Sequence, residues 1–384
     1  MPKESPAPRE LFNSFWLAGF ECSTHRTLAG VRLDMLAVTE HDRQVDHDYA
    51  LLGPMNIKTA RDGIRWHLIE RAGKFDFSSF APMVEAAQRH DIQVIWDICH
   101  YGWPDDLDAS TPAFVDRFAR FCKAVARFLA EHTDAIPYYT PINEISFLSW
   151  AMGRMMQANL RQPGELKRNL VRATIAGCEA LWEIDPRARI SHVDPLVNVM
   201  PPRNRPDLVE NAYWQHMSQY ETWDMLTGRS APELGGDPRY LDIFGINYYH
   251  SNQWEHPDGR LRWEDTPIDS RWIPFHQLLH NIYLRYGRPL YVAETSHFGV
   301  GRARWIKEIA EEVHLACAQG VPVHGICIYP ILDRPDWDDP NHWHNSGLWD
   351  LLPDENGHLR RVINEEYARQ LSISQQLLTE QHCG

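Results

Sequence analysis

The segment YYTPINEIS, residues 138–146, stops an apolar, strand-like run at the polar pair Asn143-Glu144. A carboxyl group directly after an amide, closing a segment otherwise suited to burial, is costly to place unless it faces a cleft and has partners. The competing assignment is a helix cap, because such side chains satisfy the free N–H groups that open helices. A second apolar run, RPLYVAET at 288–295, places Glu294 in the same kind of position. Two Glu residues across a cleft, with Arg, His, Asn, Tyr and Trp around them, suit glycoside hydrolysis, which needs one proton donor and one anion. A nearby carboxylate keeps the donor protonated, and an Arg beside the anion keeps it ionised.

Such residues need a scaffold that gathers them. Apolar runs at 15–20, 56–64, 93–100, 138–146, 189–193, 242–249, 288–295 and 325–330 read as strands. Helical spacing appears at 78–90, 111–132, 165–184, around 211–226, at 275–286, at 303–319 and at roughly 365–378. The segment 111–132 is the clearest helix: Thr111 and Pro112 occupy cap and first-turn positions, and Phe114, Phe118, Phe121, Val125 and Leu129 share one face. Strand cores that are continuously apolar indicate a parallel sheet covered on both faces. Eight strand units alternating with helices predict an α/β fold, a closed (β/α)8 TIM barrel. It is expected to fill residues 1–384 as one domain behind a short polar N-terminal leader, without linker or repeat. An open doubly wound sheet would bring a Gly-rich turn after an early strand, and none is present.

Active-site groups of such a barrel come from the C-terminal strand ends. Strand two offers Arg61 and Arg65, strand three His100 and Tyr101, and strand four Asn143 and Glu144. Strand six offers Asn247 and Tyr249, which face one side, strand seven Glu294, and strand eight Tyr329 followed by Asp333.

The formal charge of −14 argues against nucleic acid and anionic membrane partners, both of which recruit basic patches. No stretch approaches a membrane span and no signal peptide is visible, so a cytoplasmic location is expected. The seven Cys lack CxxC spacing and read as reduced thiols. DWDDPNHWHN holds metal-ligand residue types without a dedicated spacing, so no metal is expected. No cofactor is required, and the oligomeric state stays open.

Taken together the segments resemble the β-glucosidase family, glycoside hydrolase family 1 of the clan A retaining barrels. NIKTARDGIRWHLI resembles its second strand, G-V-K-x-Y-R-F-S-I-S-W, which puts Arg61 beside the nucleophile and Trp66 at the family's Trp. DICHYGWP is similar to T-L-x-H-W-D-L-P, implying that His100 binds sugar. INEI resembles T-x-N-E-P, implying that Asn143 contacts the 2-hydroxyl and that Glu144 is the acid/base. FGINYY matches G-x-N-Y-Y, so Tyr249 would bond to the nucleophile, and RPLYVAETS resembles P-x-x-I-T-E-N-G, with Glu294 as that nucleophile. YPILDRPDW is similar to W-S-L-x-D-N-F-E-W, which brings in Tyr329, Asp336 and Trp337 as sugar-binding positions.

The departures lie mainly among the groups that select the sugar. Ile145 replaces the usual Pro, Thr295-Ser296 replaces Asn-Gly, Tyr329 stands for a Trp and Asp336 for a Glu. The first-strand Gln has no counterpart, although His25 or Glu21 could do similar work. The resemblance implies a retaining hydrolase of β-linked glycosides, with a small-molecule or oligosaccharide glycoside as its partner. Transglycosylation by the same residues and a non-catalytic carbohydrate-binding barrel are the alternatives, followed by a nicotinamide- or flavin-dependent barrel.

Overall fold

The structure is a computed structural model and describes residues 11–152 and 163–379. The N-terminal leader and Cys383 lie outside the described residues. Eight parallel strands close into a barrel: β1 (Trp16–Gly19), β2 (Thr59–Gly63), β3 (Gln93–Cys99), β4 (Tyr138–Ile142), β5 (Arg189–Pro195), β6 (Ile243–Asn247), β7 (Leu290–Thr295) and β8 (Val323–Ile328). Each strand pairs with its neighbours in sequence, and β1 closes on β8. This is the (β/α)8 architecture expected from the apolar runs.

Among the described residues the α-helices longer than four residues, in chain order, are α1 (His41–Ala50), α2 (Ala81–Arg89), α3 (Pro112–His132), α4 (Ile145–Ala151), α5 (Pro163–Ile184), α6 (Val209–Met217), α7 (Glu221–Leu226), α8 (Phe275–Tyr286), α9 (Gly301–Ala318) and α10 (Glu365–Thr379). The single helix expected around 211–226 is two, α6 and α7, separated by a 3-10 turn at Ser218–Tyr220. Helix α1 was not expected from apolar spacing, because half of its buried face is polar: His41 and Asp48 are buried beside Val45 and Tyr49.

Period-two alternation splits β2 between two roles. Asp62 faces the helix layer, where its Oδ2 accepts from Tyr49 at 2.7 Å and lies 2.9 Å from His41 Nε2. His41 Nδ1 is 2.7 Å from Asp48, which Arg361 grips with Nε and Nη2 at 2.6 and 2.8 Å. Arg61 faces the lumen instead. The lumen is a packed core, not a pore: Leu17, Ile95, Val193, Tyr291 and Ala293 fill it, and Phe12 plugs its floor against Tyr291, ring centroids 5.0 Å apart.

Of the cysteines, Cys22, Cys99, Cys122, Cys178 and Cys327 are free and buried, in keeping with small core residues. Cys317 is disulfide-bonded, which corrects the reading of it as a reduced thiol. It sits only partly buried near the end of α9, where a sulfur is open to pairing in a way that a core thiol is not.

Candidate active site

Glu144 resolves the choice between cap and site. It occupies the N-cap position of α4 in the left-handed region, φ +46°, yet its side chain makes no capping hydrogen bond. Its N–H donates to the Val193 carbonyl on β5 at 2.9 Å and its carbonyl accepts from Leu148. With the backbone held in this way, the carboxyl group turns to Tyr101, whose hydroxyl donates to Oε2. Tyr101 also sits at positive φ, +67°, so two non-glycine residues in a disfavoured region face each other across one hydrogen bond.

Arg61 organises the other half. It is completely buried, and each of its five N–H donors is met. Nε and Nη2 donate to Asp97 at 3.0 and 2.7 Å, and Nη2 also donates to Asn143 Oδ1 at 2.6 Å. Nη1 donates to Glu294 Oε1 at 2.7 Å and to the Ala293 carbonyl at 3.3 Å. Tyr249 donates to the other oxygen of Glu294 at 2.8 Å. A cation and a phenol therefore hold the Glu294 carboxylate in place through charge-assisted hydrogen bonds.

Asn143 joins the halves. With Oδ1 turned to Arg61, its Nδ2 points to the Tyr101 hydroxyl at 3.0 Å and to His100 Nε2 at 3.1 Å. His100 Nδ1 lies 2.9 Å from Asp97 Oδ2. Burial disfavours the His100 cation, but Asp97 and Glu21 outweigh it and raise the pKa. The neutral ring with a proton on Nδ1 is the form that accepts from Asn143 while donating to Asp97. A continuous path of hydrogen bonds thus runs from Glu294 through Arg61, Asn143 and Tyr101 to Glu144.

The two carboxyl groups differ electrostatically. Burial, then the charge on Glu294, pushes the Glu144 pKa up to about 8, against the lowering effects of Tyr101 and Asn247. Among the described residues no cation hydrogen-bonds Glu144. Asn247 is fully buried close by, and neither its amide oxygen nor its nitrogen has a well-formed hydrogen bond. Buried donors and acceptors of this kind are sites for a hydroxylated ligand to complete.

Among the remaining expected positions, Tyr329 lies under the site, with Arg61 5.2 Å from its ring centroid and its ring parallel to that of His100. Its packing requires Gly19, where a Cβ would come within 2.2 Å of the Tyr329 ring. Trp337 reaches the rim, 4.6 Å from the His25 ring and 5.8 Å from that of Tyr101, with its Nε1 buried and unpartnered. Asp336 is committed to its own loop, accepting from the Asp338 and Asp339 amides and lying 3.3 Å from His344. Glu21 accepts from Ser23 and pairs with Arg334 at 3.3 Å, whereas His25 leaves Nδ1 buried and unpartnered, facing Tyr101 and Trp337 with its ring. Arg65 turns away to Asp34 and Asp42, and Trp66 is core, stacked on Phe121. Asp333 serves its own loop, accepting from the Ser346 amide.

Three residues of the site carried no assigned role in the sequence reading. Asp97 anchors Arg61 and His100; an acid inside the apolar run QVIWDICH was its signal. Tyr101, offered to the site by its place at the end of strand three, bridges Asn143 and Glu144, a role that its position along the chain does not reveal. Asp194, buried at the end of β5, accepts from Ser146 at the start of α4, and burial pushes its pKa up to about 6.

No family model matches the sequence, and no curated protein matches it. Solved structures do. A family 1 β-glucosidase from Thermotoga maritima superposes with a TM-score of 0.75 at 14% identity, over 96% of this chain and 98% of that one. The same enzyme in complex with glucoimidazole matches at 0.75 and 13% identity, over 96% of this chain and 99% of that one. The AHE enzyme from Alicyclobacillus herbarius matches at 0.75 and 16% identity, over 95% and 98%. The fold is that of the family 1 β-glucosidases. At this level of identity the family 1 likeness concerns the path of the chain, and the chemistry must be argued from the side chains above.

Proposed function

We propose that the protein is a retaining glycoside hydrolase acting on β-linked glycosides. The supporting observation is the contrast between the two carboxyl groups: Glu144 is poised as an acid with a pKa near about 8, while Glu294 is gripped by Arg61 and Tyr249. Glu294 attacks the anomeric carbon as Glu144 protonates the leaving oxygen. Glu144, now ionised, takes a proton from the water that releases the sugar from Glu294. The unpartnered buried amide of Asn247 supports a role in binding a ring hydroxyl, and Asn143 is assigned the 2-hydroxyl by its place before Glu144. The reaction needs no cofactor, and a single barrel domain supplies every group.

The test is turnover across a panel of nitrophenyl β-glycosides, followed by mass spectrometry after incubation with 2-fluoro sugars. The expected result is hydrolysis abolished by Glu294→Ala and a fluorosugar adduct on Glu294. Turnover with inversion at the anomeric carbon and no adduct would sink the retaining mechanism, for which the carboxyl groups should lie about 5 Å apart and not the roughly 6.5–9.5 Å of inverting enzymes. Sugar binding without turnover on any glycoside would support a carbohydrate-binding barrel.

A further inference from the structure

The loops that follow β6 and β7 carry a second set of donors, separate from the carboxylate pair. His250 directly follows Tyr249, His297 lies just beyond Glu294, and Glu264 belongs to the loop between β6 and α8. One ligand atom from each of the three lies within 4.8 Å of the others. His250 and His297 are 8% and 9% exposed, with ring centroids 4.1 Å apart. Trp263, Trp305 and Phe298 pack around them.

A hydrogen bond explains part of this arrangement. His297 Nε2 is 3.3 Å from Glu264 Oε1, and its Nδ1 meets both groups of Phe298, accepting from the N–H at 2.7 Å and lying 3.0 Å from the carbonyl. His250 is explained only in part: its ring meets the Ser296 backbone, but its Nδ1 is buried without a hydrogen-bond partner, a placement that carries a free-energy penalty unless something completes it.

We propose that His250, His297 and Glu264 form a binding site for a zinc-type divalent cation, which clamps the loop after Tyr249 to the loop after Glu294. Two imidazoles and a carboxylate are a borderline donor set that suits zinc and disfavours calcium or magnesium. Zinc–ligand bonds of roughly 2.0–2.2 Å in a tetrahedron put donor atoms roughly 3.4 Å apart. The 3.3 Å between His297 and Glu264 already matches one edge. Ligation through Nε2 requires the His297 proton on Nδ1, donated to the Phe298 carbonyl in place of the bond that Nδ1 otherwise accepts from the Phe298 N–H; that outer hydrogen bond would then fix the ring, as such bonds do at zinc sites. Three protein ligands leave the fourth position to water. The contrasting cluster Cys22, Asp97 and His100 does not qualify: Arg61 already neutralises Asp97, and burial pushes the Cys22 thiol well up.

The test uses the full chain stripped with a chelator and titrated with zinc chloride in a calorimeter, with cobalt(II) as an optical reporter. The expected result is one ion per chain, four-coordinate cobalt absorption, and a thermal midpoint raised by zinc. Glu264→Gln, at an exposed position that leaves folding intact, should weaken binding about tenfold or more. His250→Gln and His297→Gln should abolish stoichiometric binding while the metal-free variants keep the circular dichroism of the parent. No zinc uptake by the parent, or affinity unchanged in Glu264→Gln and in both histidine variants, overturns the proposal.

Discussion

Replacing Tyr101 by Phe deletes one hydroxyl that donates to Glu144 and accepts from Asn143. The donation favours the ionised form of Glu144 and so holds its pKa below the value that burial and Glu294 alone would set. A hydrogen bond to a charged group is worth about 1.5–3 kcal/mol, and one pKa unit corresponds to about 1.4 kcal/mol, so the loss should raise the pKa by about 1–2 units. In the proposed mechanism Glu144 must be protonated to act on the leaving group, so kcat/KM of the parent protein should fall above about pH 8. In Tyr101→Phe that basic limb should move up to about pH 9–10. The assay is the pH profile of kcat/KM on the best nitrophenyl glycoside, because this limb reports the free enzyme. Asn143 keeps His100 as a partner in the variant, so the framework should hold. A limb that stays in place while kcat drops would mean that Tyr101 only supports the fold, and a limb that moves down would refute the reasoning.

Two further outcomes follow from the buried charges. In Asp97→Asn, Arg61 loses the carboxylate that takes two of its donors, so denaturant unfolding should show a loss of about 3–5 kcal/mol and turnover should fall with it; unchanged stability would show that Glu294 alone suffices to hold Arg61. His41 is opposed by burial but drawn upward by Asp62 and Asp48, and its pKa is raised from 6.5 to about 9. Stability from a raised pKa is complete below the unfolded value and is lost as pH climbs through the folded one, so the penalty of His41→Gln, about 2–4 kcal/mol near pH 6, should shrink towards pH 10. A penalty independent of pH would show that His41 is neutral in the fold.

Sequence patterning made the barrel legible because strands buried on both faces must be continuously apolar, and eight such runs leave few other arrangements. It also located Glu144 and Glu294, since a carboxyl group at the end of an apolar run demands a reason. It missed α1, because HDRQVDHDYA buries His41 and Asp48, whose partners Asp62 and Arg361 lie far along the chain. It gave Asp97 no role for the same reason, and it left Asp336 free for a ligand when the surrounding loop consumes its carboxylate.

Residue types and their order along the chain therefore determined the fold class and which groups could react. Only the tertiary structure decided what each group is. Asn143-Glu144 reads equally as a cap or a site until the left-handed turn at Glu144 is seen to aim the carboxyl group at Tyr101. Two glutamates of identical chemistry acquire different surroundings: burial and a phenol for one, a fully engaged guanidinium and a second phenol for the other. Solvation and Coulomb energies depend on distances through space, and a linear sequence does not carry those distances.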